Sequence, residues 1–218
     1  MILAALSLML AAQQTTPQPP LQSGLPPAPW REMPGTPDEP EGEGRAPTWA
    51  YRSATCVVKN SGDKVATALA KDFRSPDYQR SFATIFQNNG GCFGTRGRLP
   101  RPSLVLTGAL AERLLMRDAA PLNARLARAA TGPAVVGQSL GDAAATCTVR
   151  SIPDDVAAWL ATEPMSPDAI ARSQPVQMVF DRCAKNDPNV KFTGNRLRAL
   201  VALAAWRSLS PAAAPASK

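Results

Sequence analysis

The segment that decides the fold is LAKDFRSPD at residues 69–77, which recurs 91 residues later as LATEPMSPD at residues 160–168. Its last three residues are a helix start, because serine can cap free backbone amides, proline fits the first helical position and aspartate complements the helix dipole. Apolar residues at helical spacing lie on both sides of this turn. In the two copies they are Val65, Leu69, Phe73, Tyr78, Phe82, Ile85 and Phe86, and Val156, Leu160 and Ile170.

The cysteines follow the same shift. Cys56 and Cys92 are 36 residues apart, as are Cys147 and Cys183, and a gap-free alignment of the two segments gives 11 identities in 37 positions. Roughly three identities are expected by chance at this composition. The spacing therefore predicts a tandem duplication, which is longer than solenoid repeats of about 20–50 residues.

The last helix of each copy is its most apolar part, at residues 104–116 and 197–206, which predicts a helix buried between others. Residues 49–59 and 140–150 suit either a strand or a helix, and the neighbouring pattern favours helix. We expect an all-α bundle of about eight helices in two disulfide-stapled units, residues 49–118 and 139–209, joined by residues 119–138. Pro175 is expected to kink or end the third helix of its unit.

The N-terminal region differs in composition. Residues 1–12 form an apolar run that is too short to span a bilayer, which takes about twenty residues, and it is interpreted as a signal peptide. The alternative is a buried or disordered N-terminus. Residues 13–48 contain ten prolines and predict a disordered acidic linker, and residues 210–218 a disordered tail. The mature chain is expected to be periplasmic or secreted and to have no transmembrane segment.

In an exported protein, four cysteines at duplicated spacing predict disulfides. Duplication favours Cys56–Cys92 and Cys147–Cys183 over the two crossed pairings, because an ancestral unit had to be self-contained. A zinc site or a redox pair would require closely spaced cysteines, which do not occur here.

The composition argues against several kinds of catalysis. The chain has no histidine, which excludes histidine triads and histidine metal ligands. Ser61 and Lys64 formally fit Ser-x-x-Lys, but they lie where a helix cap is expected. We expect no catalytic residue, metal or cofactor, and therefore a non-catalytic binding or structural module. The alternative is an envelope enzyme whose site is assembled from scattered residues. A cleft between the two halves that is lined by buried acids would support this alternative.

The charge balance favours anionic partners. The chain has 24 basic and 17 acidic residues, and outside the acidic linker the balance is 22 against 12. Basic residues gather after the second cysteine of each unit, where they predict anion binding. They are Arg96, Arg98 and Arg101 in the first unit, and Lys185, Lys191, Arg196 and Arg198 in the second. The expected partner is an anionic lipid or glycan of the envelope, and the alternative is an ordinary solvated surface. The glycine-rich residues 90–98 could hold an anion or simply end a helix.

The chain resembles uncharacterised exported helical proteins of alpha-proteobacteria. The features that carry this resemblance are the paired cysteines, the passage from Leu69 to Asp77, and LTGALAE at residues 106–112. The resemblance covers residues 46–208 and implies an exported helical protein, with no known activity.

Overall fold

A computed structural model describes residues 46–94, 100–185 and 187–210, and these residues form helices, turns and loops without any strand. The α-helices are α1 (Ala46–Leu69), α2 (Pro76–Asn88), α3 (Leu104–Leu115), α4 (Leu122–Thr131), α5 (Leu140–Ser151), α6 (Pro153–Leu160), α7 (Pro167–Cys183) and α8 (Gly194–Leu209), with a 3-10 turn at Gly90–Cys92. The all-α prediction is confirmed, including the helical assignment of residues 49–59 and 140–150.

The two serine caps form as the sequence predicts. The hydroxyl of Ser75 accepts a hydrogen bond from the amide of Tyr78 at 3.1 Å, and that of Ser166 accepts one from the amide of Ala169 at 3.0 Å. In each case proline begins the helix, because its missing N–H lies where no helical hydrogen bond is formed. The cap fixes the start of α2 and of α7 against the preceding turn.

The backbone also bends at matching places. Ser61, within α1, has a non-helical conformation (φ −143°, ψ 29°), and Ile152, which separates α5 from α6, has a similar one (φ −138°, ψ 61°). These residues are 91 positions apart. The kink within α1 and the break between α5 and α6 are therefore separated by the same interval as Cys56 and Cys147.

Helices α3 and α8 form the centre of the core. Every residue of α8 from Leu197 to Arg207 is buried, and most of α3 is buried as well. The two helices approach so closely at Gly108 that a Cβ there would lie 2.3 Å from the Cα of Ala199. Helices α1, α5, α6 and α7 contribute the surrounding apolar side chains.

Both predicted disulfides are present. Cys56 on α1 is bonded to Cys92 in the 3-10 turn, and Cys147 on α5 to Cys183 at the end of α7, with Cα–Cα distances of 5.5 and 5.9 Å. Each bond links residues 36 positions apart. One ties α1 to the 3-10 turn after α2, and the other ties α5 to the end of α7.

The structure corrects three sequence predictions. Helix α1 begins at Ala46, inside the predicted linker, and the predicted connection 119–138 contains α4. Helix α4 forms because Leu126 is fully buried and because Arg150 donates to the carbonyl groups of Ala129 and Gly132 at its end. Helix α7 continues through Pro175, since the buried Val176 and Phe180 beyond it attach the helix to the core.

Other expectations concern residues outside the described ranges. The predicted signal peptide, almost all of the predicted linker, residues 211–218 of the tail, Arg96 and Arg98 belong to this group. Among the described helices, none has both the length and the apolar character required to cross a membrane.

Candidate functional site

A buried ion pair lies between the two halves of the molecule. Arg198 on α8 is 2% exposed, and its Nε and Nη2 atoms donate to the two carboxylate oxygens of Glu112 on α3 at 3.0 and 2.8 Å. The hydroxyl of Tyr51 on α1 donates to the same carboxylate at 3.1 Å. This bidentate geometry satisfies both charges away from water.

Arg198 also binds the turn that ends α6. Its Nη atoms donate to the carbonyl oxygens of Trp159, Leu160 and Thr162 at distances of 2.8–3.1 Å. Since its guanidinium is buried and fully engaged, the prediction that Arg198 binds an external anion is wrong. A charged residue within an apolar stretch was the signal for an internal partner, and Glu112 is such a residue in α3.

A second buried pair joins Asp142 of α5 to Arg207 of α8. The guanidinium of Arg207 donates to one carboxylate oxygen, and the backbone amide of Gln138 donates to the other at 2.7 Å. Beside this pair is a cavity of about 20 Å³, which has room for about one water molecule. It is lined by Leu69, Lys71, Phe73, Tyr78, Gln138, Asp142, Leu200, Leu203 and Arg207.

The enzyme alternative predicted a cleft lined by buried acids between the halves. Asp142 is such an acid, but it is paired with Arg207, and the adjoining cavity is the size of a water molecule. Glu112 is likewise paired with Arg198. Both carboxylates therefore form ion pairs that join helices: Glu112 joins α3 to α8, and Asp142 joins α5 to α8.

The tyrosines beside these pairs are uncharged. Burial raises the pKa of Tyr51 well above its ordinary value, and the neighbouring Glu112 carboxylate raises it further. Burial also raises the pKa of Tyr78 well above that value. A neutral phenol can donate a hydrogen bond to a carboxylate, which is the role of Tyr51 here.

Three predicted anion-binding residues lie together in the second unit. Lys185 and Lys191 are exposed in the loop between α7 and α8, and Arg196 is exposed in the first turn of α8. We call this region the α7–α8 corner and define it by Leu140, Met178, Lys185, Lys191, Phe192 and Arg196. Of the first-unit residues predicted to bind anions, Arg101 is exposed just before α3.

Phe192 organises the corner. Its carbonyl oxygen accepts from the side-chain amide of Gln177 at 3.1 Å, and its ring meets that of Phe180 edge-on, with centroids 6.1 Å apart. The guanidinium of Arg196 lies 5.5 Å from the centre of the Phe192 ring. These contacts hold a cation and an aromatic ring at the surface in a fixed arrangement.

Lys185 has an unusual backbone conformation. Its φ of 55° is in the left-handed region, and Gly94, 91 positions earlier, has a φ of 61°. A side chain in this region costs roughly 1–2 kcal/mol, which glycine avoids. The second unit therefore carries a lysine where the equivalent backbone conformation in the first unit is formed by glycine.

The corner also contains two acids, Asp181 and Asp187. Asp181 accepts from the side-chain amide of Gln177 at 2.9 Å, and Asp187 accepts from the backbone amide of Asn189 at 2.8 Å. Both carboxylates therefore have local donors. With Lys191 and Phe192, they line a groove of about 400 Å³ next to the end of α7.

Within the described ranges, no three histidine, cysteine, aspartate or glutamate side chains are grouped as metal ligands would be. Comparison of the chain with protein-family models, curated proteins and solved structures finds no match.

Proposed function

We propose that this protein is a non-catalytic module exported to the periplasm or the cell exterior, where it binds anionic envelope components through the α7–α8 corner. The observation that carries the proposal is the charge arrangement. Lys185, Lys191 and Arg196 take part in none of the seven salt bridges that the described residues form, a property they share with the exposed Arg52, Lys59 and Lys64. What sets them apart is that all three lie in the short loop between α7 and α8 or in the first turn of α8, where Arg196 is held against the Phe192 ring. Exposed cations without an acidic partner are suited to phosphate, sulfate or carboxylate groups.

Export is supported by the two disulfides, which form and persist in oxidising compartments. The apolar run at residues 1–12 is a second argument for it. Cell fractionation followed by N-terminal sequencing tests this part of the proposal. A mature N-terminus near Gln13 in the periplasm is expected, and a cytoplasmic protein that retains Met1 would contradict it.

We further propose that the scaffold arose by tandem duplication. A shift of 91 residues superposes both disulfides, the serine caps of α2 and α7, the backbone bends at Ser61 and Ile152, and the left-handed residues Gly94 and Lys185. Turn hydrogen bonds follow the same shift: the amide of Ser75 donates to Asp72, and that of Ser166 to Glu163. On this proposal, the two units share a scaffold but differ at the surface.

Anion binding is tested by retention on a heparin column. The variant Lys185→Ala, Lys191→Ala, Arg196→Ala is expected to elute at clearly lower salt than the unaltered protein, because it lacks the corner cations. The matched control is Arg52→Ala, Lys59→Ala, Lys64→Ala, which removes three exposed cations of the first unit. Equal loss of retention in both variants would mean that only net charge matters, and the proposed site would be rejected.

A further inference from the structure

We infer that the α7–α8 corner docks onto an anionic phospholipid bilayer, with Leu140 and Met178 entering the headgroup region and the three cations contacting lipid phosphates. This inference rests on the proposed function and names its partner. It is carried by the exposed apolar and basic side chains on the segments of α5, α7 and α8 that meet at Phe192.

Leu140 and Met178 are both largely solvent-exposed, at 61% and 64%. Leu140 precedes Gly141, where an added Cβ would lie 2.8 Å from the Phe192 ring. Met178 follows Gln177, whose amide donates to the Phe192 carbonyl. Each exposed apolar residue is thus adjacent in the chain to a residue in contact with Phe192.

The first unit provides an internal comparison. At the proposed shift of 91 residues, Met178 corresponds to Gln87, and Ile170, which is 63% exposed on α7, corresponds to Gln79. Both glutamines are exposed on α2. At these two positions, the exposed side chains are therefore polar in α2 and apolar in α7.

The position equivalent to Leu140 shows the same contrast. It is Trp49, whose ring lies 6.0 Å from that of Phe93 and whose indole N–H donates to the Phe93 carbonyl at 3.2 Å. Trp49 is half-buried, whereas Leu140 is exposed. The second unit thus exposes the apolar Leu140 and Met178 to water. At the corresponding positions the first unit has the half-buried Trp49 and the polar Gln87.

The cations of the same corner identify the partner. A bilayer with anionic headgroups attracts lysine and arginine and offers an apolar interior to leucine and methionine at the same time. A soluble acidic glycan would use Lys185, Lys191 and Arg196 but would leave Leu140 and Met178 in water. The combination of both residue types favours the lipid surface.

The experiment is co-sedimentation of the full chain with vesicles of phosphatidylglycerol and phosphatidylcholine, compared with vesicles of phosphatidylcholine alone. We expect binding to the anionic vesicles only, and its loss at high salt. The variant Leu140→Ser, Met178→Ser should bind these vesicles about tenfold more weakly, because apolar burial in the bilayer is lost. Its retention on heparin should be unchanged. The matched control, Gln79→Ser, Gln87→Ser, should bind like the unaltered protein.

The outcomes separate the two proposals. If heparin retention depends on the corner cations but the protein does not bind anionic vesicles, or if the double serine variant binds them normally, the lipid inference is overturned and the proposed function stands. If the corner cations do not affect heparin retention, the proposed function fails too. Circular dichroism of each variant verifies that the fold is intact.

Discussion

Gly108 of α3 lies directly against Ala199 of α8, and these residues are 91 positions apart, the same interval that separates the two disulfides. Under the proposed duplication, the two central helices therefore cross at equivalent positions. Such a contact is expected where two copies of one unit are related by an approximate two-fold axis. Because the axis leaves no space for a side chain on both helices, one of them has glycine.

Replacement of Gly108 by alanine is predicted to lower the free energy of unfolding by about 1–3 kcal/mol, because its Cβ would overlap the α8 backbone. Urea unfolding followed by circular dichroism measures this change. Alanine at Gly132 is the control, since the nearest atom there is 3.6 Å away and the backbone φ of −83° suits any residue. A Gly108→Ala variant as stable as the Gly132→Ala variant would contradict the close crossing.

Replacement of Arg198 by methionine is predicted to lower the free energy of unfolding by about 3–5 kcal/mol, because it leaves the Glu112 carboxylate buried without its cation. Adding Glu112→Gln should recover most of the loss, since the neutral amide can still accept from Tyr51. The exposed pair Arg172–Asp168 is the comparison, and Arg172→Met should cost less than about 1 kcal/mol. A cost for Arg198→Met as small as that for Arg172→Met would contradict the buried pair.

Tyr51 and Tyr78 are the two tyrosines of the chain, and burial raises the pKa of both above the ordinary value of 10.0. The unfolded chain therefore loses phenol protons at a lower pH than the native protein does. The stability that these groups contribute is complete below about pH 10 and is lost progressively above it. We expect tyrosinate absorbance near 295 nm to rise only together with the loss of the helical signal. A rise of tyrosinate absorbance at about pH 10–11 with the helical signal intact would contradict the raised pKa of the two buried tyrosines.

The disulfides should contribute equally, because both join residues 36 positions apart. In the chain-entropy description, a loop of this length stabilises the fold by about 4 kcal/mol. Cys147→Ser, Cys183→Ser and Cys56→Ser, Cys92→Ser are each predicted to lower the free energy of unfolding by that amount in urea titrations. A large difference between the two variants would show that one disulfide acts through more than loop closure.

Local signals accounted for most of the fold. Ser75 and Ser166 cap helices because three consecutive residues specify the cap, and most of residues 104–115 and all of residues 197–206 are buried because apolar side chains surround each helix. The pairing of the cysteines followed from the interval between them. These features depend on short stretches or on a regular spacing, both of which a single sequence contains.

Features that depend on distant contacts were missed. Arg198 was assigned to the surface because its partner Glu112 is 86 residues away. Helix α4 was overlooked because it is held by contacts with other helices: its Arg125 donates to the carbonyl of Leu115 in α3, and Arg150 of α5 donates to carbonyl groups at its end. The arrangement around Phe192 was also unforeseen, since it combines residues from α5, α7 and α8.

The central position of α8 has a consequence for the order in which the molecule can mature. Among the described helices, α8 is synthesised after all the others, yet it covers α3 of the first unit and completes the pairs with Glu112 and Asp142. A nascent chain that lacks it has both charges unpaired and the apolar side of α3 in water. The first half therefore cannot reach its final packing before α8 has been synthesised. Such delayed closure would suit a protein that passes through a narrow translocation channel before it folds.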